Sequence, residues 1–228
     1  MPLNKASGNM YQNWVTHTFN IIKGQCPHMC QYCYCKRWGK QSPLHFDEKE
    51  LKTDLGKGNK IFVGSSCDMW AKKIPDTWIL ETLKVCYKRR RNQYIFQTKN
   101  PDRFLEFALP EKSIVGITAE TDKFYKEYMG NTTLTANRLT SSGIYKKHKR
   151  GIYKSFITIE PIMDFDLEHF IYLIELANPD FVNIGADSGH NNLPEPSKEK
   201  TLELINELRK FTVVKIKDNL TRITGGGL

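Results

Sequence analysis

Short runs rich in β-branched and aromatic residues alternate with longer stretches of helical period along nearly the whole chain, and this alternation limits the folds open to it. The strand candidates are VTHTFNII (15–22), KIFVGS (60–65), YIFQT (94–98), SIVGITA (113–119), SFITIE (155–160), FVNIG (181–185) and TVVKIK (212–217). Each is a few residues long and almost continuously apolar, as expected for strands covered on both faces. Between them lie helical stretches at DEKELKTDL (47–55), PDTWILETLKVCYKRRR (75–91), PDRFLEFAL (101–109), DLEHFIYLIELA (166–177) and SKEKTLELINELRKF (197–211). Pro75-Asp76, Asn100-Pro101-Asp102 and Pro196-Ser197 mark helix starts, with a capping side chain or a proline near the first turn. The segment 122–153, with many Gly, Ser, Thr and Asn residues, reads as a short helix or two and a loop.

Strand and helix alternating about six times imply parallel strands joined by right-handed crossovers. Two architectures satisfy that pattern, a (β/α) barrel and a doubly wound open sheet. In both, the active site lies beyond the C-terminal ends of the strands. The residues that follow the strands here are Gly24 to Cys35, Ser65 to Asp68, Thr98 to Asn100, Glu120-Thr121, Glu160-Pro161, Gly185 to Ser188 and Lys217 to Asn219. Polar or ionisable side chains close almost every apolar strand. Helix caps account for one or two of these; seven sets on one rim point to a polar ligand site.

The first set, KGQCPHMCQYCYC (23–35), holds four of the six cysteines. No apolar run approaches the roughly 20 residues of a membrane helix, and the start of the chain lacks the pattern of a signal peptide, so a cytoplasmic location is expected. In a reducing compartment, clustered cysteines serve as ligands or catalysts more often than as disulfides. Structural zinc sites commonly use two ligand pairs a dozen or more residues apart, and no second pair follows here. A compact zinc knuckle including His28 or Cys35 stays open as an alternative. Thiolates at short spacing suit an iron–sulfur cluster. Cys26, Cys30 and Cys33 can hold three irons of a [4Fe–4S] cluster and leave the fourth iron open to a small molecule. Cys35 follows Cys33 too closely to join the same cube comfortably.

This C-x3-C-x-aromatic-C loop, with Tyr32 at the aromatic position and a strand before it, resembles the cluster loop of the radical S-adenosylmethionine (SAM) superfamily. Together NIIKGQCPHMCQYCY (20–34), IFVGSSCDMW (61–70), FQTKNPDRF (96–104), TIEPIMDFD (158–166), FVNIGADS (181–188) and VKIKDNL (214–220) resemble a family of short radical-SAM-like proteins of prokaryotic and phage genomes. The resemblance implies an α/β fold of one domain, a partial (β/α)6 TIM-type barrel of about six or seven parallel strands. The core would span 14–220, between flexible ends at 1–13 and 221–228.

It also implies that Cys26, Cys30 and Cys33 ligate the cluster and that the open iron chelates SAM's amino and carboxylate groups. Reduction by a flavodoxin- or ferredoxin-type electron donor would then cleave SAM to methionine and a 5′-deoxyadenosyl radical that takes hydrogen from a substrate. The superfamily usually places a Gly-Glu pair after the second strand to hold SAM's ammonium. Here Gly64-Ser65-Ser66-Cys67-Asp68 stands instead, and Ser65, Ser66 and Asp68 are the candidates for that contact. Tyr32 is counted with the cofactor-binding residues. Glu120 is the candidate for the ribose hydroxyls, Lys99 for SAM's carboxylate or a substrate phosphate, and Glu160 and Asp187 for SAM or substrate. Each of these four also has an ordinary reading as an intramolecular ion pair or helix cap.

The net charge of +9, with basic clusters at Lys88 to Arg91 and Lys146 to Arg150, favours polyanionic partners, while lysines and arginines at helix ends are equally often a solvated face. Trp38 and Trp70 lie close to site loops, where they can stack on a base or on adenine. A nucleic acid or nucleotide is therefore one substrate class, and a small metabolite or peptide the other. A second kind of function is a non-catalytic iron–sulfur or zinc protein that binds nucleic acid through its basic face. Cys86 reads as core, Cys67 as facing the site and Cys35 as packed. His28 reads as solvent-facing or behind the ligands. No G-x-S-x-G, H-E-x-x-H or phosphate-loop pattern occurs. The chain is expected to be a monomer.

Overall fold

The computed structural model describes residues 2–6, 14–148 and 153–226. Its strands are β1 (Asn4–Lys5), β2 (His17–Phe19), β3 (Ile22–Lys23), β4 (His45–Phe46), β5 (Lys60–Val63), β6 (Gln93–Thr98), β7 (Ile114–Thr118), β8 (Lys154–Ile159), β9 (Phe181–Ile184) and β10 (Val213–Ile216). Its helices are α1 (Asp76–Lys88), α2 (Arg103–Glu106), α3 (Lys126–Met129), α4 (Thr135–His148), α5 (Leu167–Ala177), α6 (Lys198–Leu208) and α7 (Thr221–Thr224). Eight strands form one sheet in the order β1-β2-β5-β6-β7-β8-β9-β10, and β3 pairs with β4 in a separate ribbon. From β2 to β10 every neighbour is parallel, and β1 adds antiparallel at the β2 edge.

Seven parallel strands in unbroken chain order are singly wound, which is the barrel-type arrangement and not the doubly wound one. The sheet does not close on itself among the described residues. No helix among them is long and apolar enough to cross a membrane.

Register divides one face of the sheet into two zones. Phe62, Ile95, Ile114, Phe156 and Phe181 form an apolar plug towards the strands' N-terminal ends, with Phe156 stacked on Phe181 at 5.2 Å and Trp14 edge-on to both. Two residues further along the same face stand Gln97, Gly116, Thr158 and Asn183, followed by Thr118, Glu160 and Gly185. Side chains alternate faces with a period of two, so this placement follows directly from the strand registers. The inner face is thus dry at one end and polar at the other.

The sheet's outer face is covered by amphipathic helices. α1 buries Ile79, Leu83 and Cys86, and α5 buries Phe170, Leu173, Ile174 and Ala177. Asp166 caps α5 by accepting from the His169 amide at 3.0 Å, and Ser197 caps α6 by accepting from the Lys200 amide at 3.2 Å.

Several elements depart from the sequence reading. The run 15–22 is not one strand: Asn20 interrupts it, and its amide side chain turns to Ser65 Oγ at 3.0 Å and the Ser66 amide at 3.0 Å. The stretch 47–55 contains only a 3₁₀ turn at Glu48–Lys52, and 101–109 only the single turn of α2. Conversely, 122–153 contains α4, a 14-residue crossover helix between β7 and β8. Its weak apolar pattern hides it, because much of what it buries is polar, with Arg138 wholly enclosed beside Leu139. In the ends expected to be flexible, β1 pairs with β2 and α7 forms a final turn.

The plug generates a prediction. A Cβ on Gly116 would come within 2.2 Å of the Phe156 ring. Gly116→Val is expected to cost about 1–3 kcal/mol by overpacking, read as a lower urea midpoint with unchanged slope.

Candidate functional site

At the polar end of the strands a cavity of about 760 Å³ opens, and its wall is built from the loops after six of the seven parallel strands and from Thr118 at the end of β7. Five of the six cysteines line it: Cys26, Cys30, Cys33, Cys35 and Cys67. Cys86 is buried in α1, as its apolar surroundings in the sequence suggest. The loop carrying the first four leaves β3 through Gly24, whose φ of +90° favours glycine and whose missing Cβ would otherwise lie 2.3 Å from the Pro43 carbonyl oxygen. Its far side is held by the Gln31 amide donating to the Tyr128 carbonyl at 2.8 Å and by the Asn131 amide donating to the His28 carbonyl at 2.7 Å.

The cysteines fall into pairs. A hydrogen bond from the Cys67 thiol draws the Cys26 thiol down to about 7, against the effect of burial. A hydrogen bond from Cys35 likewise draws Cys33 down to about 6. Giving those hydrogen bonds, together with burial, holds Cys67 and Cys35 far above the ordinary thiol range. Burial pushes Cys30 up to about 11 despite the nearby Lys99 ammonium. Within each pair the two thiols shift in opposite directions, which couples Cys67 to Cys26 and Cys35 to Cys33.

Among the described residues no three His, Cys, Asp or Glu side chains converge as a metal-ion site. His28 is buried, with Nε2 2.7 Å from Asp68 Oδ2. Cys26, Cys30 and Cys33 line one cavity, and thiolates at this short spacing are the ligand type that an iron–sulfur cluster takes.

Glu120, with 0% exposure, does not line the cavity. Its Oε2 accepts from Arg138 Nη1 at 2.9 Å, and its Oε1 accepts from both Lys99 Nζ and the Tyr32 hydroxyl. Burial opposes its ionisation, yet Arg138 and Lys99 hold its carboxyl well below the usual range. The intramolecular ion pair, one of its two sequence readings, is what the structure forms. Lys99 reaches the cavity wall, but its ammonium is committed to Glu120 and lies 3.2 Å from the Tyr32 hydroxyl. Tyr32 is consequently anchored by its hydroxyl, while its ring packs with Met129, Met163 and Leu193.

Asp68 is similarly committed: Oδ2 accepts from Thr98 Oγ1 and the Lys99 amide at 2.9 Å each, and Oδ1 from the Trp70 amide at 2.9 Å. Its carboxylate ties together its own loop, the end of β6 and, through His28, the cysteine loop. Ser65 and Ser66 line the cavity above it, aligned by Asn20. Glu160 pairs with Lys217 and accepts from Asn219 Nδ2 at 3.0 Å. Asp187 closes its own loop by accepting from the Gly189 amide at 2.9 Å and from Asn191 Nδ2 at 2.8 Å. Both carboxylates still border the cavity. Trp70 is fully buried against Phe96, Phe104 and Phe107, so it is core, whereas Trp38 is 60% exposed.

Three further residues matter. Arg138 had no sequence signal, since a lone arginine in a Thr- and Ser-rich helix reads as solvated. Gln97 Oε1 and Asn219 Oδ1 are buried acceptors without a protein partner. The inward parity of β6 marks Gln97, and Asn219 belongs to the rim read after the last strand. Such orphaned acceptors at a cavity call for donors from a ligand.

Comparison with known proteins agrees with this architecture. A family model described as "Protein of unknown function (DUF5131)" matches residues 10–204. No curated protein matches the chain. Among solved structures, spore photoproduct lyase complexed with dinucleoside spore photoproduct is similar with a TM-score of 0.64 at 11% identity, covering 94% of this chain and 78% of that one. A variant of that lyase with bound AdoMet and dinucleoside spore photoproduct gives 0.62 at 10% identity, covering 90% and 77%. At such identity the likeness is one of fold.

The buried ion pairs set the expected response to mutation. Arg138→Met is expected to cost about 3–5 kcal/mol, because it leaves Glu120 buried with one cation fewer, and Glu120→Gln in the same chain should recover part of that loss. Glu120 titrates below its ordinary value near 4.5. Its contribution is therefore present above that value and lost as pH falls through the lowered one. Stability measured from about pH 6 down to 3 should decline less steeply in Glu120→Gln than in the parent.

Proposed function

We propose that this chain, which belongs to the family described as "Protein of unknown function (DUF5131)", is a radical SAM enzyme acting on a nucleic acid or nucleotide. Cys26, Cys30 and Cys33 are the proposed cluster ligands. The observation that carries the reading is the convergence of these three motif thiols on one cavity at the polar mouth of a partial barrel, with Cys26 and Cys33 already drawn towards thiolate. A [4Fe–4S] cluster with SAM on its open iron supplies reductive cleavage of SAM to methionine and a 5′-deoxyadenosyl radical.

The chain's own residues would bind, orient and shield. Cys35 and Cys67 are coupled to the neighbouring Cys33 and Cys26. Ser65 and Ser66 are the proposed contacts for SAM's ammonium, with Asp68 acting behind them by fixing His28 and the amide of Lys99. Glu160 and Asn219 offer acceptor oxygens to ligand hydroxyls or amines on the opposite wall, and Gln97 Oε1 does so from the floor. Asp187 is proposed to hold its loop at the mouth and not to donate a free carboxylate. Lys99, committed to Glu120, contributes positive potential more than a direct contact. An electron donor of the flavodoxin or ferredoxin type is the proposed partner.

The substrate class is supported by the net charge of +9 and by the dinucleoside bound to the lyase of similar fold. A non-catalytic cluster or zinc protein would give no SAM cleavage, and zinc would leave the protein colourless.

Anaerobically reconstituted, dithionite-reduced protein is expected to carry about four irons and to form 5′-deoxyadenosine from SAM, and Cys30→Ala should abolish the product. Full iron content with no product in the presence of nucleic acid would refute the enzymatic reading. A SAM-dependent change in the EPR spectrum of that protein would then identify a SAM-binding cluster protein.

A further inference from the structure

A basic cleft lies at the end of the strands opposite the cavity. Lys57 and Lys88 to Arg91 line this cleft, which precedes β5 and β6, on the N-terminal side of the strands. The cavity lies past their C-terminal ends, a strand length of roughly 13–20 Å away. In that cleft Arg89 also meets Asp54 at 3.9 Å. Of the cluster from Lys146 to Arg150, Lys146 pairs with Asp180 at 3.3 Å, while Lys149 and Arg150 lie outside the described residues. Neither cluster can guide a chain into the cavity directly.

A third group, inconspicuous in sequence, can do so. Directly after the cysteine loop, the 3₁₀ turn Tyr34–Trp38 carries Lys36 and Arg37, and Lys40 follows; all three cations are exposed and line the cavity mouth. None of them has an ion-pair partner among the described residues, and no acidic residue occurs between Lys23 and Asp47. The other lysines of the cavity wall, Lys99 and Lys217, are matched by Glu120 and Glu160.

Aromatic surface accompanies the charge. Trp38 is 60% exposed, the Arg37 guanidinium lies 5.1 Å from its ring and 5.5 Å from that of Tyr34, and the two rings meet edge-on at 5.5 Å. The turn is held in place. The Tyr34 hydroxyl donates to the Ser65 carbonyl and the Gln41 side chain to the Cys35 carbonyl at 2.9 Å, and Cys35 Sγ lies 3.4 Å from the Ser66 carbonyl oxygen. An exposed indole beside unpaired cations on a fixed turn has the composition of a stacking platform for unpaired bases with phosphates alongside. A duplex, whose bases are already stacked, offers its phosphates but no face for Trp38.

We infer that the Tyr34–Lys40 turn is the docking platform for single-stranded nucleic acid, with Trp38 stacking on a base and Lys36, Arg37 and Lys40 contacting the backbone, so that a neighbouring nucleotide enters the cavity. This rests on the nucleic-acid substrate proposed above.

The test is fluorescence anisotropy of labelled single-stranded DNA and RNA of about 12 nucleotides at about 50 mM salt, with reconstituted protein. Trp38→Ala and Arg37→Glu should each weaken binding about tenfold, Trp38→Phe should stay near the parent, and charge reversal at Lys88 to Arg91 should change binding less than about threefold. Quenching of indole fluorescence by the strand should be lost in Trp38→Phe. Parental affinity in Trp38→Ala and Arg37→Glu would overturn the platform, as would equal affinity for a duplex, or loss of binding confined to the Lys88 to Arg91 variant. Iron content and SAM cleavage without nucleic acid, measured on the same proteins, separate the two ideas. Trp38-dependent binding without SAM cleavage leaves the platform and removes the enzyme, and SAM cleavage with Trp38-independent binding does the reverse.

Discussion

The carboxylate of Glu120 is enclosed completely, with Arg138 on one oxygen and Lys99 and Tyr32 on the other. Removing a carboxylate from water is affordable only where its partners are already in place, so the four residues must assemble together. They come from four parts of the chain: the cysteine loop, the end of β6, the end of β7 and helix α4. Their meeting fixes the cysteine loop against the strand ends from inside the protein. Asp68 repeats the device one strand over, gathering His28, Thr98 and two backbone amides onto one carboxylate. The cavity is thus framed by two charged anchors: Glu120 lies behind the wall, and Asp68 lies in it with both oxygens bonded to protein.

This framing leaves the cavity wall to other groups. The thiols supply one side, with Cys67 and Cys35 each giving a hydrogen bond to a neighbour that the motif marks as a ligand. The opposite side holds Glu160 with Lys217 and Asn219, and the floor holds Gln97 and the threonines of β7 and β8. The division of labour is physical. Groups wholly enclosed by protein hold the loops, and groups with unfilled hydrogen-bonding capacity face the space.

Charge is distributed with the same logic. A net charge of +9 says only that polyanions are attracted. Its layout distinguishes a cleft behind the sheet from the unpaired cations at the mouth, and only the latter line the cavity that holds the motif thiols.

Much was legible from the residues themselves. All seven parallel strands coincide with apolar runs in the sequence, because strands covered on both faces cannot be polar, and the caps Asp166 and Ser197 and the core placement of Cys86 follow from local patterns. Helix α4 was illegible because its buried face carries Arg138, which a periodicity of apolar residues cannot register. For Glu120, Lys99 and Asp68 the sequence left the choice of partner open for a related reason: a polar residue after a strand looks the same whether it faces a ligand or a buried countercharge. Sequence alone determined the singly wound topology's raw material, the cysteine spacing and the rim on which polar groups would gather, since each depends on neighbours in the chain. Only the tertiary structure decided which rim groups neutralise one another, which thiols pair, and which end of the sheet each basic cluster occupies, because those depend on distances between residues dozens of positions apart.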